Sequence, residues 1–210
     1  MIKRNLKTMI VTSIVTLIPI LVGIILWDQL PDQMATHFGA NGQPDDWSSK
    51  EFVVFGLPLL LVALQWIIAG ITSTDPKKQN ISDKMFSLML WLVPAVSIVG
   101  CGSTYAYELY DSINILTIGT ALLGMVLLIT GNFMPKMKQS YTLGMRFSWT
   151  LNSEENWRRT HRLGGYVWMI SGILTVCLGL LNMTQFVLPI IFFTAIIPAI
   201  YSFVLYKKGV

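Results

Sequence analysis

Residues 131–165 read GNFMPKMKQSYTLGMRFSWTLNSEENWRRTHRLGG, the one long polar stretch that combines clustered positive charge, aromatics and helix-start signals. It leaves an apolar run at Gly131, passes Lys136, Lys138, Arg146, Arg158, Arg159 and Arg162, and enters another apolar run at Tyr166. An apolar helix of roughly 20 residues crosses about 30 Å of hydrocarbon. Outward from this stretch the sequence offers six such runs, at about 8–27, 52–73, 85–107, 113–134, 163–182 and 186–206. The expected fold is all-α: a polytopic membrane protein with six transmembrane helices, divided into three-helix halves at 1–110 and 111–210.

Composition agrees, because 53% of residues are hydrophobic and only 12% charged, where an ordinary soluble domain has about a quarter charged. The first run follows Lys3, Arg4 and Lys7 in the manner of a signal peptide. It is too long for one and has no small-x-small cleavage site before Trp27-Asp28, so it is expected to stay as the first span. Cys101 and Cys177 both lie in apolar runs, which predicts packing residues and neither a disulfide framework nor a metal cluster. No cofactor is expected.

Six spans place the N-terminus, the 74–84 loop, the 131–165 stretch and the C-terminus on one side, with 14 of the 15 Lys and Arg residues. The positive-inside rule makes that side cytoplasmic, both termini included. The net charge of +4 therefore reads as topology and contact with anionic lipids, not as direct nucleic-acid binding. Lys50 alone lies outside, in a loop that also bears Asp28, Asp32, Asp45, Asp46 and Glu51. No charged residue or His falls near the middle of a span, which argues against an ion-coupled pump. Asn132, Gln65 and the Ser and Thr residues leave a transporter or channel as the alternative. Thr120-x3-Gly124 and Ser171-x3-Thr175-x3-Gly179 suit close helix packing.

The outer loop 28–51 mixes turn formers, Asn41-Gly42 among them, with Trp47 as an interfacial anchor, predicting an ordered reentrant or surface cap. His37 is its one histidine, too few ligands for a metal. On the inner side Asn152-x-x-Glu155 has the form of a capping box, so a helix should start there and run into the fifth span. Glu154 and Arg158, and Glu155 and Arg159, stand four apart, while Trp157 and His161 share another face. An enzyme would have to use His161, Arg146 and Glu155 as its acid and base set. No nucleophile-base spacing supports one, and the chain is read as a non-enzyme.

The stretch 131–165 resembles the signature of the SdpI family of bacterial membrane proteins, and LPDQMATHFGANGQPDDWSSK resembles the outer-loop domain that commonly precedes it. Gly131, Asn132, Pro135, Gly144, Arg146, Trp149, Thr150, Leu151, Trp157, His161 and Arg162 match the family pattern, with Pro31, His37, Gly42, Asp46, Trp47 and Lys50 in the outer loop. Ser140 and Ser148 depart from it, standing where Asn and Pro are usual. The resemblance implies an immunity protein of the bacterial cell membrane. It would bind a secreted peptide toxin through His37, Asn41, Gly42, Asp45, Asp46 and Trp47. It would recruit a cytosolic transcriptional repressor through Asn132, Arg146, Trp149, Trp157, Arg158, His161 and Arg162.

The two long loops share an order of features: Leu30-Pro31 against Met134-Pro135, Gly42 against Gly144, and Trp47-Ser48 against Trp149-Thr150. That is the layout of a 3+3 inverted repeat, with chance similarity as its rival.

Overall fold

The computed structural model describes residues 1–39, 41–110 and 113–210, so part of the expected boundary between halves, at residues 111–112, lies outside the described residues. Six helices are long and apolar enough to cross a membrane: Ile2–Ile25, Phe52–Ser73, Asp83–Leu109, Ile115–Lys136, Glu154–Leu180 and Thr184–Lys207. The chain is a multi-pass membrane protein. Its surface is apolar, with Ile25 78% and Leu188 75% exposed, while Thr12, Thr16, Gln65, Ser97 and Thr175 are buried. Lipid solvates leucine as well as a protein core does, so hydrogen-bonding side chains are what gain from turning inward.

The first span is two helices, α1 (Ile2–Thr16) and α2 (Ile18–Ile25), broken at Leu17. Pro19 has no amide hydrogen and its ring crowds the preceding turn. Carbonyls at the break are taken by the third span, α4 (Asp83–Leu109), where Ser97 donates to Thr16 O and Tyr105 to Pro19 O. The second span, α3 (Leu57–Ser73), follows a π-helical turn at Phe52–Gly56. Its Gln65 donates to Thr12 Oγ1 at 2.8 Å and stitches α3 to α1 inside the bundle.

The second half holds α5 (Ile115–Phe133), α7 (Glu154–Leu180) and α8 (Val187–Lys207). Glycines seven apart bring α5 and α7 into backbone contact. A Cβ on Gly124 would lie 2.7 Å from Gly172 O, and one on Gly165 would lie 2.8 Å from Gly131 O. Thr117 Oγ1 donates to Gly179 O and closes the far end of the seam. Dispersion between closely approaching backbones holds helices together where water exclusion cannot. Helix pairing differs between the halves: the first span packs most extensively on the third, whereas the fourth packs most extensively on the fifth.

The loop between the first two spans forms a β-hairpin, β1 (Gln33–Phe38) and β2 (Pro44–Ser49), paired antiparallel with Met34 opposite Ser48 and Ala35 opposite Trp47. Strands were not expected within an otherwise helical chain, although the ordered cap and its Asn41-Gly42 turn were. Gly42 takes φ +77°, the left-handed conformation that such a turn demands. Met34 tucks under the hairpin beside Val53 and Val54, and Ala35 is buried as well.

Candidate functional site

At the basic end of the bundle the signature segment is a fitted strap, not a free loop. Trp157 lies buried on α7, stacks on His161 with ring centroids 3.9 Å apart, and donates through Nε1 to Met137 O. His161 is fully buried, and both ring nitrogens are engaged. Nδ1 meets Trp157 O at 2.8 Å and Nε2 accepts the Met145 amide at 2.9 Å. An acceptor Nε2 fixes the neutral tautomer with hydrogen on Nδ1. Gly144 crosses directly over this stack at φ +106°, where a Cβ would come within 2.5 Å of His161 Nε2.

A short helix, α6 (Ser148–Asn152), sets Trp149 against α8. There Trp149 Nε1 donates to Ser202 Oγ at 2.9 Å and its ring lies among Phe147, Phe203 and Tyr206. The predicted capping box at Asn152 is a correction: Asn152 closes α6, and Ser153 caps α7 by accepting the Asn156 amide. Glu155 cannot reach back to a cap because it is drawn forward to both Arg158 and Arg159. The predicted Glu154–Arg158 pair is likewise replaced by Glu155–Arg158.

The strap is fastened to the first half by Asp75, which is 3% exposed in the connection between α3 and α4. One carboxylate oxygen accepts from the amides of Tyr141 and Thr142 and from the Thr142 hydroxyl, at 2.9, 2.9 and 2.7 Å. The other accepts the Lys77 amide. Burial pushes the carboxyl pKa up, but the Thr142 hydroxyl and these amides outweigh it and hold the group below its ordinary value of 3.8. Gln139 adds a second fastening. Its amide donates to Thr150 O and Leu151 O, while Lys77 and Asn80 donate to its side-chain and backbone oxygens.

Of the expected partner-contact residues, Trp157 and His161 are buried in the strap's footing and Trp149 is half-buried. Arg146, Arg158 and Arg162 are exposed on this end. Arg146 donates to Tyr141 O, and Asn132 lies exposed on α5. His161, Arg146 and Glu155, the acid and base set an enzyme would have to use, are each engaged elsewhere and not brought together.

At the opposite end the hairpin is anchored from below. Lys50, 8% exposed, donates to Trp27 O and Leu30 O, lies over the Trp27 ring, and pairs with Asp32 at 3.3 Å. Glu108 of α4 accepts the Ala35 amide at 2.7 Å, which blunts the free edge of β1. His37 Nδ1 stands 2.5 Å from Asp45 Oδ1. Asn41, Asp45, Asp46 and Trp47 are exposed around it. Among the described residues no cluster of His, Cys, Asp and Glu could hold a metal ion.

Sequence reasoning missed Asp75, Gln139 and Glu108. Their only sequence signal is a polar residue beside a span, which solvent explains equally well.

Residues 136–204 match the SdpI/YfhL protein family, and residues 14–62 match a domain of unknown function (DUF1648). Over 192 residues, 87% of this chain and 88% of the relative, the chain is 27% identical to Immunity protein SdpI of Bacillus subtilis (strain 168). No solved structure matches it.

Proposed function

From the premise that this chain is a multi-pass relative of the SdpI/YfhL protein family, we propose that it is a membrane immunity protein that binds a secreted, membrane-active peptide and signals its presence. The alignment with Immunity protein SdpI across nearly the whole of both chains carries the reading. The hairpin end faces the medium and the strap end faces the cytoplasm, in keeping with the positive-inside rule. His37, Asn41, Gly42, Asp45, Asp46 and Trp47 form the peptide-facing surface. Its exposed acids suit a cationic ligand.

On the cytoplasmic side Arg146, Arg158 and Arg162 present charge to a soluble repressor or to anionic headgroups. Trp149, Trp157 and His161 support that surface from beneath, and Asn132 meets lipid beside it. Support for transmission comes from Asp75, which ties the strap to the half that bears the hairpin. The test is expression in sensitive cells challenged with the killing peptide. Survival is expected, and killing equal to that of empty-vector cells would end the reading.

A further inference from the structure

Between the hairpin and the first turns of α5 lies a groove of about 300 Å³. Phe38, Leu116 and Leu123 make it apolar, and Gly119 and Thr120 line it alongside. Leu123 and Gly119 are exposed on the flank of α5, so the groove opens toward lipid. Thr36 lines it too. This residue sits at an irregularity of β1, between the partners of Trp47 and Asp46, and its hydroxyl is buried without a partner among the described residues. A polar hollow of about 450 Å³, with Asn41, Gln43 and Asn114, continues from the groove through Ile115 and Leu116.

His37 also lines the groove and holds Asp45 at its rim. The segment 28–51 has five acids and one lysine, and that lysine is occupied under the hairpin. An occupant entering from the membrane thus meets apolar walls, then an anionic rim. The geometry points to this groove as the seat of an amphipathic cationic peptide: apolar side chains fill it, and basic residues meet Asp45 and Asp46. The inference rests on the immunity reading and gives the killing peptide its place. Since the hairpin belongs to one half and α5 to the other, a seated peptide bridges them.

Gly119 supplies a selective test, because a Cβ there meets nothing within 4 Å and a larger side chain fills the groove without straining the helix. Gly102, exposed on α4 with equally open space, is the control. Binding of a fluorescein-labelled leucine–lysine amphipathic peptide is measured by anisotropy on phosphatidylcholine nanodiscs holding the full chain, against empty discs. Wild type and Gly102→Phe should bind above empty discs, and Gly119→Phe and the Asp45→Asn, Asp46→Asn pair about ten-fold more weakly.

Binding no better than empty discs, or an unchanged Gly119→Phe, overturns the seat. So does displacement by Gly119→Phe of a brominated phospholipid in place of the peptide, or of a second copy of the chain from a dimer. Cells protected equally by wild type and Gly119→Phe would lose the groove but keep the immunity reading. Cells that wild type fails to protect would lose the reading itself.

Discussion

One carboxylate oxygen of Asp75 holds Thr142 twice, through its amide and its hydroxyl, across 67 positions of sequence. Replacing Asp75 with Asn puts an amide NH2 donor or a single neutral carbonyl acceptor where several donors converge. Hydrogen bonds to a charged group contribute about 1.5–3 kcal/mol each, and stranded donors cost about as much. Asp75→Asn should leave membrane insertion intact while amide exchange at Tyr141 and Thr142 accelerates by more than about ten-fold. Unchanged exchange in the variant would show that the strap holds itself.

The same clasp has a pH dependence of definite sign. Its folded pKa lies below the ordinary 3.8, so its stabilisation is present above that value and is lost as pH falls through the folded pKa. Strap mobility, followed by a spin label at Lys138, should be flat from neutral pH to about 4 and rise below it. Asp75→Asn should abolish the acid-dependent rise. A rise centred near pH 6 would implicate a histidine instead.

Gly144→Ala should be among the most damaging single changes in the strap. The backbone there is left-handed, and the new methyl would meet His161 and Trp157, neither of which can retreat from a buried stack. Strain of this kind costs about 1–3 kcal/mol. Gly42→Ala shares the positive φ but meets only Leu116 at 3.2 Å, so its melting temperature in detergent should fall less. Equal melting temperatures for the two variants would refute the crowding argument.

Gly172→Leu should prevent α5 and α7 from closing, because its Cβ would strike Gly124 O and Leu128 N, backbone atoms that no rotamer change can move. Gly100→Leu, with open space around it, should behave as wild type. Monodispersity after solubilisation separates the two, and a well-behaved Gly172→Leu would disprove the close seam.

The six spans were legible because lipid imposes a length and a polarity that any sequence must obey, and the basic residues mark one end of the bundle. The hairpin was half legible. Asn41-Gly42 announces a turn, but PDDWSS has little intrinsic strand preference, and its pairing leans on Lys50 and Glu108 beneath. The spacing of four caught Gly124 and Gly179 but passed over Gly131, Gly165 and Gly172, whose repeat is seven. Sequence reasoning put the cap on Asn152, and the pull of Arg158 and Arg159 on Glu155 leaves that role to Ser153, one residue on. Asp75 was invisible because its partners are brought to it only by the fold.

The backbone seam between α5 and α7 sets a strict limit on side-chain size in this part of the bundle. With glycine against glycine at successive levels, the two backbones stay within contact distance along most of the roughly 28 Å length of α5. Any side chain larger than hydrogen at Gly124, Gly131, Gly165 or Gly172 would therefore wedge the two helices apart, whereas Gly100, Gly102 and Gly119 stand in open space.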